Sequence, residues 1–402
     1  MNKNVLYIDG VGPFGGASRS LFELVAALRS LGVSAYFVAA RGTALSYYRK
    51  VADDVIETRG LTRIDNTQYS YYRGLRWLIL LREVFHLPFT FFALVKAWLR
   101  WRNNIDLIHC NEITEIFPAL FAKWLFKRPL VLHVRSSQRR EQNAWRSRLI
   151  LFLLKRHVST IVAIDETVRS TLPAELPCVV VHNSFSAPAQ EEKASRQEMM
   201  LQSNDSMCVG FVGNLQHAKG VVDLIRAAAL VKERAGAAVE FVFVGGKTRP
   251  SDGLKGRLLR FAGFAQDVSD DLESLVQQLD LTCNIHFVGH RNDIHRFYPA
   301  FDVLAFPSHF DAPGRPVFEA AFYEVPCLVC VEDPLPDTVR PGVTGLCVPA
   351  RDPRSLADAI LWYLRHPQER RQMGLASRDL ALEFFVPEDN AKRILAVYEA
   401  LA

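Results

Sequence analysis

Short apolar runs alternate along this chain with longer stretches whose apolar residues recur at helical spacing. In the first half the runs lie at 5–8, 33–40, 106–110, 130–134, 160–165 and 178–183. In the second half they lie at 209–213, 239–245, 284–289, 302–308 and 327–331. Each run is short, and many are rich in β-branched residues or bounded by polar turns. This alternation predicts an α/β fold, in which parallel sheets are covered by helices on both faces.

A polar segment interrupts the alternation in the middle of the chain. Residues 184–207 contain few large apolar side chains, which is typical of a linker or a surface excursion. We therefore predict two doubly wound, Rossmann-like domains, over 1–185 and 186–387. A terminal amphipathic helix over 388–402 begins with acidic residues, which are favoured at a helix N-terminus.

One region departs from the strand–helix pattern. Residues 69–102 contain ten aromatic and six basic residues, and Pro88 divides them into two segments of helix length. Two interpretations stay open: a pair of helices that cover the core, or a surface in a lipid interface, where aromatic and cationic side chains are favoured. The stretch 127–157 carries nine Lys and Arg against one Glu, and is either a solvated helix face or an extension of that surface.

Composition and charge narrow the class of protein. The chain has 402 residues, of which 49% are hydrophobic and 23% charged, so a disordered or collagen-like chain is excluded. No run of 18 uncharged apolar residues and no signal peptide is visible, and we expect a cytoplasmic protein. Residues 1–187 carry 25 basic and 14 acidic residues, whereas the whole chain has a net charge of +5. The basic first half indicates that one domain faces an anionic partner.

The seven cysteines are an odd number spread through apolar segments, which favours reduced thiols over a disulfide framework. Cys327 and Cys330 have the spacing of half a zinc site. No second ligand pair is visible at a suitable spacing, so we interpret them as residues of a buried strand.

A glycine-rich loop follows the first strand. Gly10, Gly12 and Gly15 formally match the dinucleotide-binding pattern, and Arg41 after the second strand is compatible with a 2′-phosphate, so NADP binding stays an alternative. Pro13 is awkward for that pattern. The wider interpretation is a turn whose backbone N–H groups and following helix face an anion, and a purely structural turn is the third.

Two further motifs lie in the second half. In the first, Gly213 opens a turn after a strand and Lys219 stands at the start of a helix, where it can neutralise a phosphate; an ordinary surface lysine is the alternative. In the second, Asp311 and Glu319 are eight positions apart, and Gly314, Arg315 and the N-terminus of a helix that begins near Pro316 lie between them. Carboxylates so placed can bind sugar or ribose hydroxyls while the helix N-terminus accepts a phosphate, although acids at a helix start also simply complement its dipole.

Together these motifs resemble glycosyltransferase family 4, the retaining enzymes of the GT-B architecture (glycosyl transferases group 1). The resemblance runs through nearly the whole chain, in order: Gly15-Gly16, DLIHCNE, LHVR with His133, AIDETVRSTL, VHNSF, GNLQHAKG, VGHRNDIHRFYPAFDVLAFPS, the acid-x7-acid segment and PGVTGLCVP. Each element is weak alone, but the ordered set is specific.

The resemblance implies two domains facing a central cleft, an acceptor on the first and a nucleotide diphosphate sugar on the second. It implies that the terminal helix packs back on the first domain. Lys219 then binds the donor diphosphate, Glu319 the ribose and Asp311 the donor sugar, while His133 lies near the reacting sugar. The implied donor-binding residues are Gly15, Gly16, Gly213, Asn214, Lys219, Gly314, Arg315, Pro316, Val317 and Glu319. No cofactor or metal is implied, since fixed positive charge stabilises the leaving diphosphate.

The chain departs from the family pattern at several of these positions. The first acid is usually Glu and is here Asp311, and the arginine usual before the lysine is here Asn214. Glu324 replaces a glycine, and Arg19 stands where the glycine loop often carries Glu. We hypothesise that Arg315 supplies the charge missing at 214.

The sequence therefore predicts a retaining, metal-independent glycosyltransferase. We expect its acceptor to be lipid-linked or at an anionic membrane surface, as in bacterial polysaccharide or lipopolysaccharide assembly, with the enzyme peripheral at the inner face of the cytoplasmic membrane. No nucleic acid partner is expected. A catalytically inactive binding or scaffold protein and an NADP-dependent oxidoreductase are the alternatives.

Overall fold

The computed structural model describes residues 3–68, 72, 77–139, 145–185, 192–246 and 269–401. It divides into two compact units. Unit 1 comprises Met1–Phe185 and Phe385–Ala402, and unit 2 comprises Ser186–Phe384. The C-terminal segment that belongs to unit 1 begins at Phe385, whereas the sequence predicted that this segment begins at 388.

Thirteen strands are described in the two units. They are β1 (Lys3–Asp9), β2 (Val33–Ala40), β3 (Asp54–Thr58), β4 (Leu107–Cys110), β5 (Leu130–Val134), β6 (Thr160–Ala163), β7 (Cys178–Val180), β8 (Met207–Val212), β9 (Val239–Val244), β10 (Ile285–Gly289), β11 (Val303–Phe306), β12 (Cys327–Val329) and β13 (Gly345–Cys347).

The described α-helices lie between and after these strands. They are α1 (Gly16–Ser30), α2 (Thr43–Val51), α3 (Ile79–Trp101), α4 (Ile116–Phe126), α5 (Trp145–His157), α6 (Glu166–Ser170), α7 (Val221–Ala235), α8 (Ser269–Gln278), α9 (Arg315–Ala321), α10 (Pro353–Arg365), α11 (Pro367–Phe384) and α12 (Pro387–Glu399).

Each unit is built on one parallel sheet. The strand order is β3-β2-β1-β4-β5-β6-β7 in unit 1 and β10-β9-β8-β11-β12-β13 in unit 2. Neighbouring strands pair in parallel throughout both sheets. Helices cover both faces, so most strand residues are buried on either side. The prediction of two Rossmann-like parallel-sheet domains is confirmed.

The two faces of the unit 1 sheet carry different helices. Apolar residues of α3, α4, α5 and α6 form one buried cluster with the sheet. Residues of α1, α2 and α12 form another. In α12, Ala391, Ile394 and Tyr398 are fully buried in that second cluster. Fully burying a large apolar side chain such as Ile394 contributes about 1.5–3 kcal/mol, so this buried face anchors the terminal helix to unit 1.

The division of residues 69–102 into two helices at Pro88 was wrong. A single 23-residue helix, α3, runs through Pro88. The proline lies on the exposed side of α3, and we attribute the continuity to the opposite side, where Leu94, Ala97 and Trp101 are buried against the sheet. Among the described residues, no helix is long and apolar enough to cross a membrane.

The interpretation of the cysteine pair is confirmed. Cys327 belongs to β12 and Cys330 follows it, and both are buried with free thiols. Burial raises the pKa of both thiols, which makes them inert rather than reactive.

Candidate active site

The sheet of unit 2 has a switch point between β8 and β11. These strands are neighbours, yet the strand after β8 pairs on one side of it and the strand after β11 pairs on the other. Such a reversal opens a crevice at the carboxyl ends of the two strands, where ligands bind in doubly wound folds. The loop 213–220 follows β8 and the loop 307–314 follows β11, so both predicted motifs of the second half lie at this crevice.

Close backbone contact holds the two loops together. Gly220 has φ +70°, and a Cβ there would lie 1.8 Å from the carbonyl oxygen of Pro307. The backbone N–H of His309 donates to the carbonyl of Ala218 at 2.9 Å. Gly213 has φ +150°. Glycine is therefore required at 213 by conformation and at 220 by both conformation and contact, and these turns set the position of Lys219.

Lys219 is a largely buried cation held between two aromatic rings. Its Nζ lies 5.1 Å from the ring centroid of Phe306 and 5.5 Å from that of Phe310. Burial lowers the pKa of its ammonium group. Among the described residues, no carboxylate lies within ion-pair distance of Lys219. Cation–π contact stabilises the charge without neutralising it, so the ammonium can still bind an anion.

Glu319 lies on α9 with both carboxylate oxygens engaged. Arg315 Nε donates to Oε1 at 2.7 Å, and the Tyr298 hydroxyl donates to Oε2 at 2.6 Å. Arg315 was expected to face the diphosphate, whereas in this structure it pairs with Glu319 one turn along the same helix. The pair fixes the orientation of the carboxylate, since charge-assisted hydrogen bonds are strong and directional.

The remaining predicted residues of unit 2 lie around these groups. Gly314 is needed because a Cβ there would lie 2.2 Å from the ring of Phe306. Pro316 occupies the first turn of α9, and the side chain of Val317 is buried. Asn214 and Asp311 are exposed, and Asp311 Oδ1 accepts a hydrogen bond from the backbone N–H of Glu332. Because α9 has only seven residues, its dipole is short, and Lys219 contributes more positive charge to this crevice than the helix N-terminus does.

A histidine pair at this crevice was missed in the sequence. His309 Nε2 lies 2.6 Å from Asp223 Oδ2 on the first turn of α7. The His217 ring meets the His309 ring edge-on at 5.7 Å. No local pattern signals a contact between residues this far apart in sequence.

Unit 1 has a second switch point, between β1 and β4, lined by a buried polar chain. The Tyr48 hydroxyl donates to Asp9 Oδ2 at 2.5 Å, and Asn111 Nδ2 donates to Asp9 Oδ1 at 3.2 Å. Arg135 Nε donates to Asn111 Oδ1 at 2.8 Å. Burial raises the pKa of Asp9 above its ordinary value. None of these contacts was visible in the sequence.

The glycines of the first loop separate into two kinds. A Cβ at Gly10 or Gly12 would lie 2.9 Å or less from Glu115 or from the backbone of Arg41, whereas nothing lies within 4 Å of a Cβ at Gly15 or Gly16. Gly15 also has an ordinary φ of −113°. Internal packing thus accounts for two glycines of the supposed dinucleotide pattern. Gly15 is the N-cap residue of α1, a position that favours glycine, and the open space at 15 and 16 leaves room for the close approach of a ligand.

His133 lies inside the sheet. It is 2% exposed, and its Nδ1 lies 3.3 Å from His109 Nε2 and 3.3 Å from Arg135 Nη2. Burial, together with the charge of Arg135, holds the pKa of His133 well below its ordinary value. His109 in turn lies 2.6 Å from the Tyr398 hydroxyl of α12. The role of His133 near the reacting sugar stays a prediction. The residue that directly follows the carboxyl end of β5 is Arg135.

The two parallel-sheet domains, each with a ligand crevice at its switch point, define a GT-B protein. The chain belongs to the group 1 glycosyltransferases. Residues 195–380 match the family model described as glycosyl transferases group 1, and residues 15–182 match that of the glycosyl transferase 4-like domain.

Similar proteins carry related names. The D-inositol 3-phosphate glycosyltransferase of Mycolicibacterium vanbaalenii is 31% identical over 169 residues, which cover 42% of this chain and 35% of that protein. The capsular polysaccharide biosynthesis glycosyltransferase CapM of Staphylococcus aureus is 24% identical over 268 residues, or 63% of this chain and 66% of that protein. The first match spans about a third of its relative's length, so it supports the family rather than a substrate.

Among solved structures, Anabaena HepE in complex with UDP is similar over 99% of this chain and 100% of its own, with a TM-score of 0.75 and 22% identity. This likeness shows the shared fold.

Proposed function

We propose that this protein is a retaining glycosyltransferase that moves a sugar from a nucleotide diphosphate sugar to a lipid-linked or membrane-surface glycan, without a metal ion. The observation that carries the proposal is Lys219, a largely buried ammonium group at the unit 2 switch point with no carboxylate within ion-pair distance among the described residues. A diphosphate is the anion that a nucleotide sugar would bring to such a crevice.

The residues around Lys219 take separate parts in this proposal. Lys219 stabilises the negative charge that develops as the bond between the anomeric carbon and the diphosphate breaks. Glu319, held by Arg315 and Tyr298, accepts hydrogen bonds from the ribose hydroxyls. Asp311 is exposed on the loop 307–314 and binds the donor sugar. The acceptor hydroxyl attacks the same face of the sugar, and its proton passes to the departing phosphate oxygen.

A membrane-bound acceptor is supported by one face of unit 1. Seven apolar residues of α3 are between 49% and 70% exposed: Leu81, Val84, Phe85, Leu87, Phe91, Phe92 and Leu99. Trp124 of α4 and Trp145 and Phe152 of α5 are at least as exposed as most of them. Phe91 stacks on Phe121 of α4 at 5.5 Å, which joins the surfaces of the first two helices. Apolar area of this extent marks an interaction site rather than an ordinary surface.

The charge on this face favours an anionic lipid surface as the partner. The three helices carry eight basic residues: Arg82, Lys96, Arg100, Lys123, Arg146, Arg148, Lys155 and Arg156. Their only carboxylate, Glu83, is buried and pairs with Arg82. Two of the other basic residues pair with carboxylates outside the three helices, Arg100 with Asp54 and Lys155 with Glu175, so five of the eight have no ion pair among the described residues and the face stays basic. A helix face of aromatic and basic residues is what binds at the headgroup level of a bilayer. We therefore place the enzyme at the inner face of the cytoplasmic membrane, acting in polysaccharide or lipopolysaccharide assembly, in keeping with CapM.

A panel of nucleotide sugars tests the central proposal. UDP-, GDP-, ADP-, CMP- and dTDP-sugars are added to the protein and thermal unfolding is followed. A ligand at 100 times its Kd raises the stability of the folded state by about 2.7 kcal/mol, so one nucleotide should stand out. Release of the nucleotide from the same donor then tests turnover. Binding without any turnover would favour the inactive scaffold, which Asn214 in place of the usual arginine keeps as an alternative, and binding of none would contradict the proposal.

A further inference from the structure

A small cavity lies in unit 1 beside the carboxyl ends of β4 and β5. Its volume is about 50 Å³. Ile150, Leu154 and Leu172 form its apolar wall, while Asn66, Gln138 and Ser147 supply polar atoms. A water molecule needs roughly 10–15 Å³ of such space, so the cavity has room for several waters or for one small group of a larger ligand.

Gln138 presents an acceptor atom whose identity is fixed. Its Nε2 donates to the carbonyl oxygen of Ser136 at 2.7 Å, and that carbonyl can only accept. The amide therefore cannot be reversed, and Oε1 must be the other end. This Oε1 is buried and has no hydrogen-bond partner among the described residues. The backbone also holds Gln138 in place, because its N–H donates to Thr171 Oγ1 at 3.0 Å.

Two more polar side chains of the cavity have a buried atom without a hydrogen-bond partner. Asn66 Oδ1 and Ser147 Oγ are buried and lack a hydrogen-bond partner in the described part of the protein. Asn66 and Gln138 are each 5% exposed, so neither side chain is freely solvated. A buried polar group left without a partner is costly. Three in one cavity indicate that something else satisfies them.

The chemistry of these atoms selects the class of ligand. Carbonyl oxygens accept hydrogen bonds, so a hydroxyl or amine suits them and a phosphate or carboxylate oxygen does not. Leucine and isoleucine side chains suit the C–H face of a sugar ring or a polyol. Hydrogen bonds link Gln138 to the carboxyl ends of β4 and β5, because Ser136, which follows β5 and accepts from Gln138, donates through Oγ to Oε2 of Glu112, which follows β4, at 3.1 Å.

We propose that this cavity is a subsite for an uncharged, hydroxyl-bearing part of the acceptor, such as a sugar ring with one hydroxyl or hydroxymethyl group inserted between Asn66 and Gln138. This rests on the proposed function, because it takes unit 1 to bind the acceptor. It adds the chemistry of the bound group and the residues that select it.

The test uses methyl α-D-glucopyranoside as the probe and the full chain as the protein. Saturation-transfer NMR is recorded with UDP present, so that the probe does not report the donor site. We expect transfer to the probe from wild-type protein, and less transfer to 2-methoxytetrahydropyran, which has the ring without the hydroxyls. Gln138→Met keeps the length of the side chain and removes the acceptor. It should weaken probe binding roughly threefold to tenfold, the value of one or two hydrogen bonds.

Two controls make the result specific. Gln68→Met changes a glutamine two residues from Asn66 that does not line the cavity, and it should bind the probe as wild type does. Gln138→Met removes the unpartnered Oε1 and also the hydrogen bond from Nε2 to the Ser136 carbonyl, so its unfolding midpoint is measured beside wild type. Asn66→Leu is the second variant if Gln138→Met unfolds at a lower temperature. Equal transfer from wild type and both cavity variants, or none from wild type, would mean that the cavity holds water only and would overturn the proposal.

Failure of this proposal and failure of the proposed function give different results. If only the subsite is wrong, wild type and Gln138→Met bind UDP equally and release nucleotide from a donor equally. Saturation transfer to the probe is then the same for both proteins or absent from both. If the glycosyltransferase activity is wrong, neither protein releases nucleotide from any donor, whatever the probe does.

Discussion

Arg315 Nε lies 2.7 Å from Glu319 Oε1, one turn away on α9, and the Tyr298 hydroxyl occupies the other oxygen. Arg315 was expected to replace the arginine that the family has where this chain has Asn214. In the structure its Nε pairs with the Glu319 carboxylate, while Lys219 lies between Phe306 and Phe310. The contact of Arg315 with the diphosphate stays a prediction.

The first prediction concerns Glu319. Glu319→Gln keeps the shape of the side chain and removes the charge that accepts the ribose hydroxyls. A hydrogen bond to a charged group contributes about 1.5–3 kcal/mol, so UDP should bind roughly tenfold to a hundredfold more weakly by calorimetry. Glu324→Gln is the matched control, since Glu324 is an exposed residue that pairs with Arg378. Unchanged affinity in a folded Glu319→Gln protein would remove Glu319 from the donor site.

Arg315 is tested by a double-mutant cycle. If Arg315 acts through Glu319, then Arg315→Ala weakens UDP binding, and adding Glu319→Gln costs little more, because partners in direct contact are not additive. If Arg315 instead contacts the diphosphate itself, the two losses add. UDP affinities of the two single variants and the double variant decide between these outcomes, and additive losses would restore the compensation for Asn214.

Lys219 should give a charge-dependent and pH-dependent effect. Lys219→Met should lower the transfer rate by a factor on the order of 10²–10³, as loss of one preorganised electrostatic group does elsewhere. Lys232→Met, at an exposed pair with Asp280, is the control. A Lys219→Met protein with full activity would contradict the assignment.

The sign of the pH effect follows from the burial of Lys219. Burial lowers the pKa of this ammonium group, so the empty site loses its proton at a lower pH than an exposed lysine would. Because the diphosphate binds the protonated form, UDP affinity should fall on the alkaline side. In Lys219→Arg the charge persists to a pKa above about 12, and the alkaline loss should shrink. Identical pH profiles of the two proteins would show that another group titrates.

The sequence pattern predicted the sheets best where strands are buried on both faces. The unpredicted strands, β3 and β13, are the edge strands of their sheets. An edge strand has one neighbour and needs fewer apolar residues, as Asp54–Thr58 illustrates with its two acids. The helix break at Pro88 was wrong because packing of the inner face of α3 overrode the local cost of a proline.

The site was only partly predictable for a related reason. Lys219, Glu319 and the glycine turns lie in local motifs, which a sequence shows directly. The rings that contact Lys219 come from the end of β11 and the loop after it. Asp9, Asn111 and Arg135 lie at the carboxyl ends of three separate strands. Such contacts depend on the strand order, and no spacing along the chain encodes that order.

The exposed face of α3, α4 and α5 predicts binding to anionic membranes. The protein should co-sediment with phosphatidylglycerol vesicles more than with phosphatidylcholine vesicles. Each basic residue near an anionic surface contributes about 1 kcal/mol, and salt screens it over a Debye length of about 8–10 Å. Added salt should therefore reduce the preference.

A matched pair of variants distinguishes membrane binding by this face from non-specific hydrophobic adsorption to vesicles. Phe92→Ser removes an exposed aromatic from α3, and Leu382→Ser removes a similarly placed apolar residue from α11 in unit 2. Burying a phenylalanine contributes about 1.5–3 kcal/mol, so the first change should weaken vesicle binding roughly tenfold or more. The second should leave it unchanged. Equal effects of the two changes, or no vesicle binding by wild type, would contradict the membrane proposal and favour the interpretation that α3 only covers the core.

The last prediction concerns the stereochemistry of transfer. In the proposed mechanism Lys219 supplies the positive charge beside the diphosphate, so departure of the diphosphate is the step that the site would assist. The departing oxygen can take the proton of an acceptor that attacks the same face, and no protein base is then needed opposite. His133 was the main competitor for that role, but it is buried and its pKa lies well below the ordinary value. His133→Ala should therefore impair transfer, through its contact with Arg135, without abolishing it.

An α-linked donor should accordingly give an α-linked product, which the coupling constant of the anomeric proton reports directly. The measurement uses the donor identified by the nucleotide panel and His133→Ala beside wild type. Both proteins should give the same anomer, because the histidine positions Arg135 and does not choose the face of attack. A β-linked product from wild type would require a base on the opposite face. It would overturn the mechanism, because Lys219 and the leaving diphosphate would then lie on the wrong side to take the acceptor's proton.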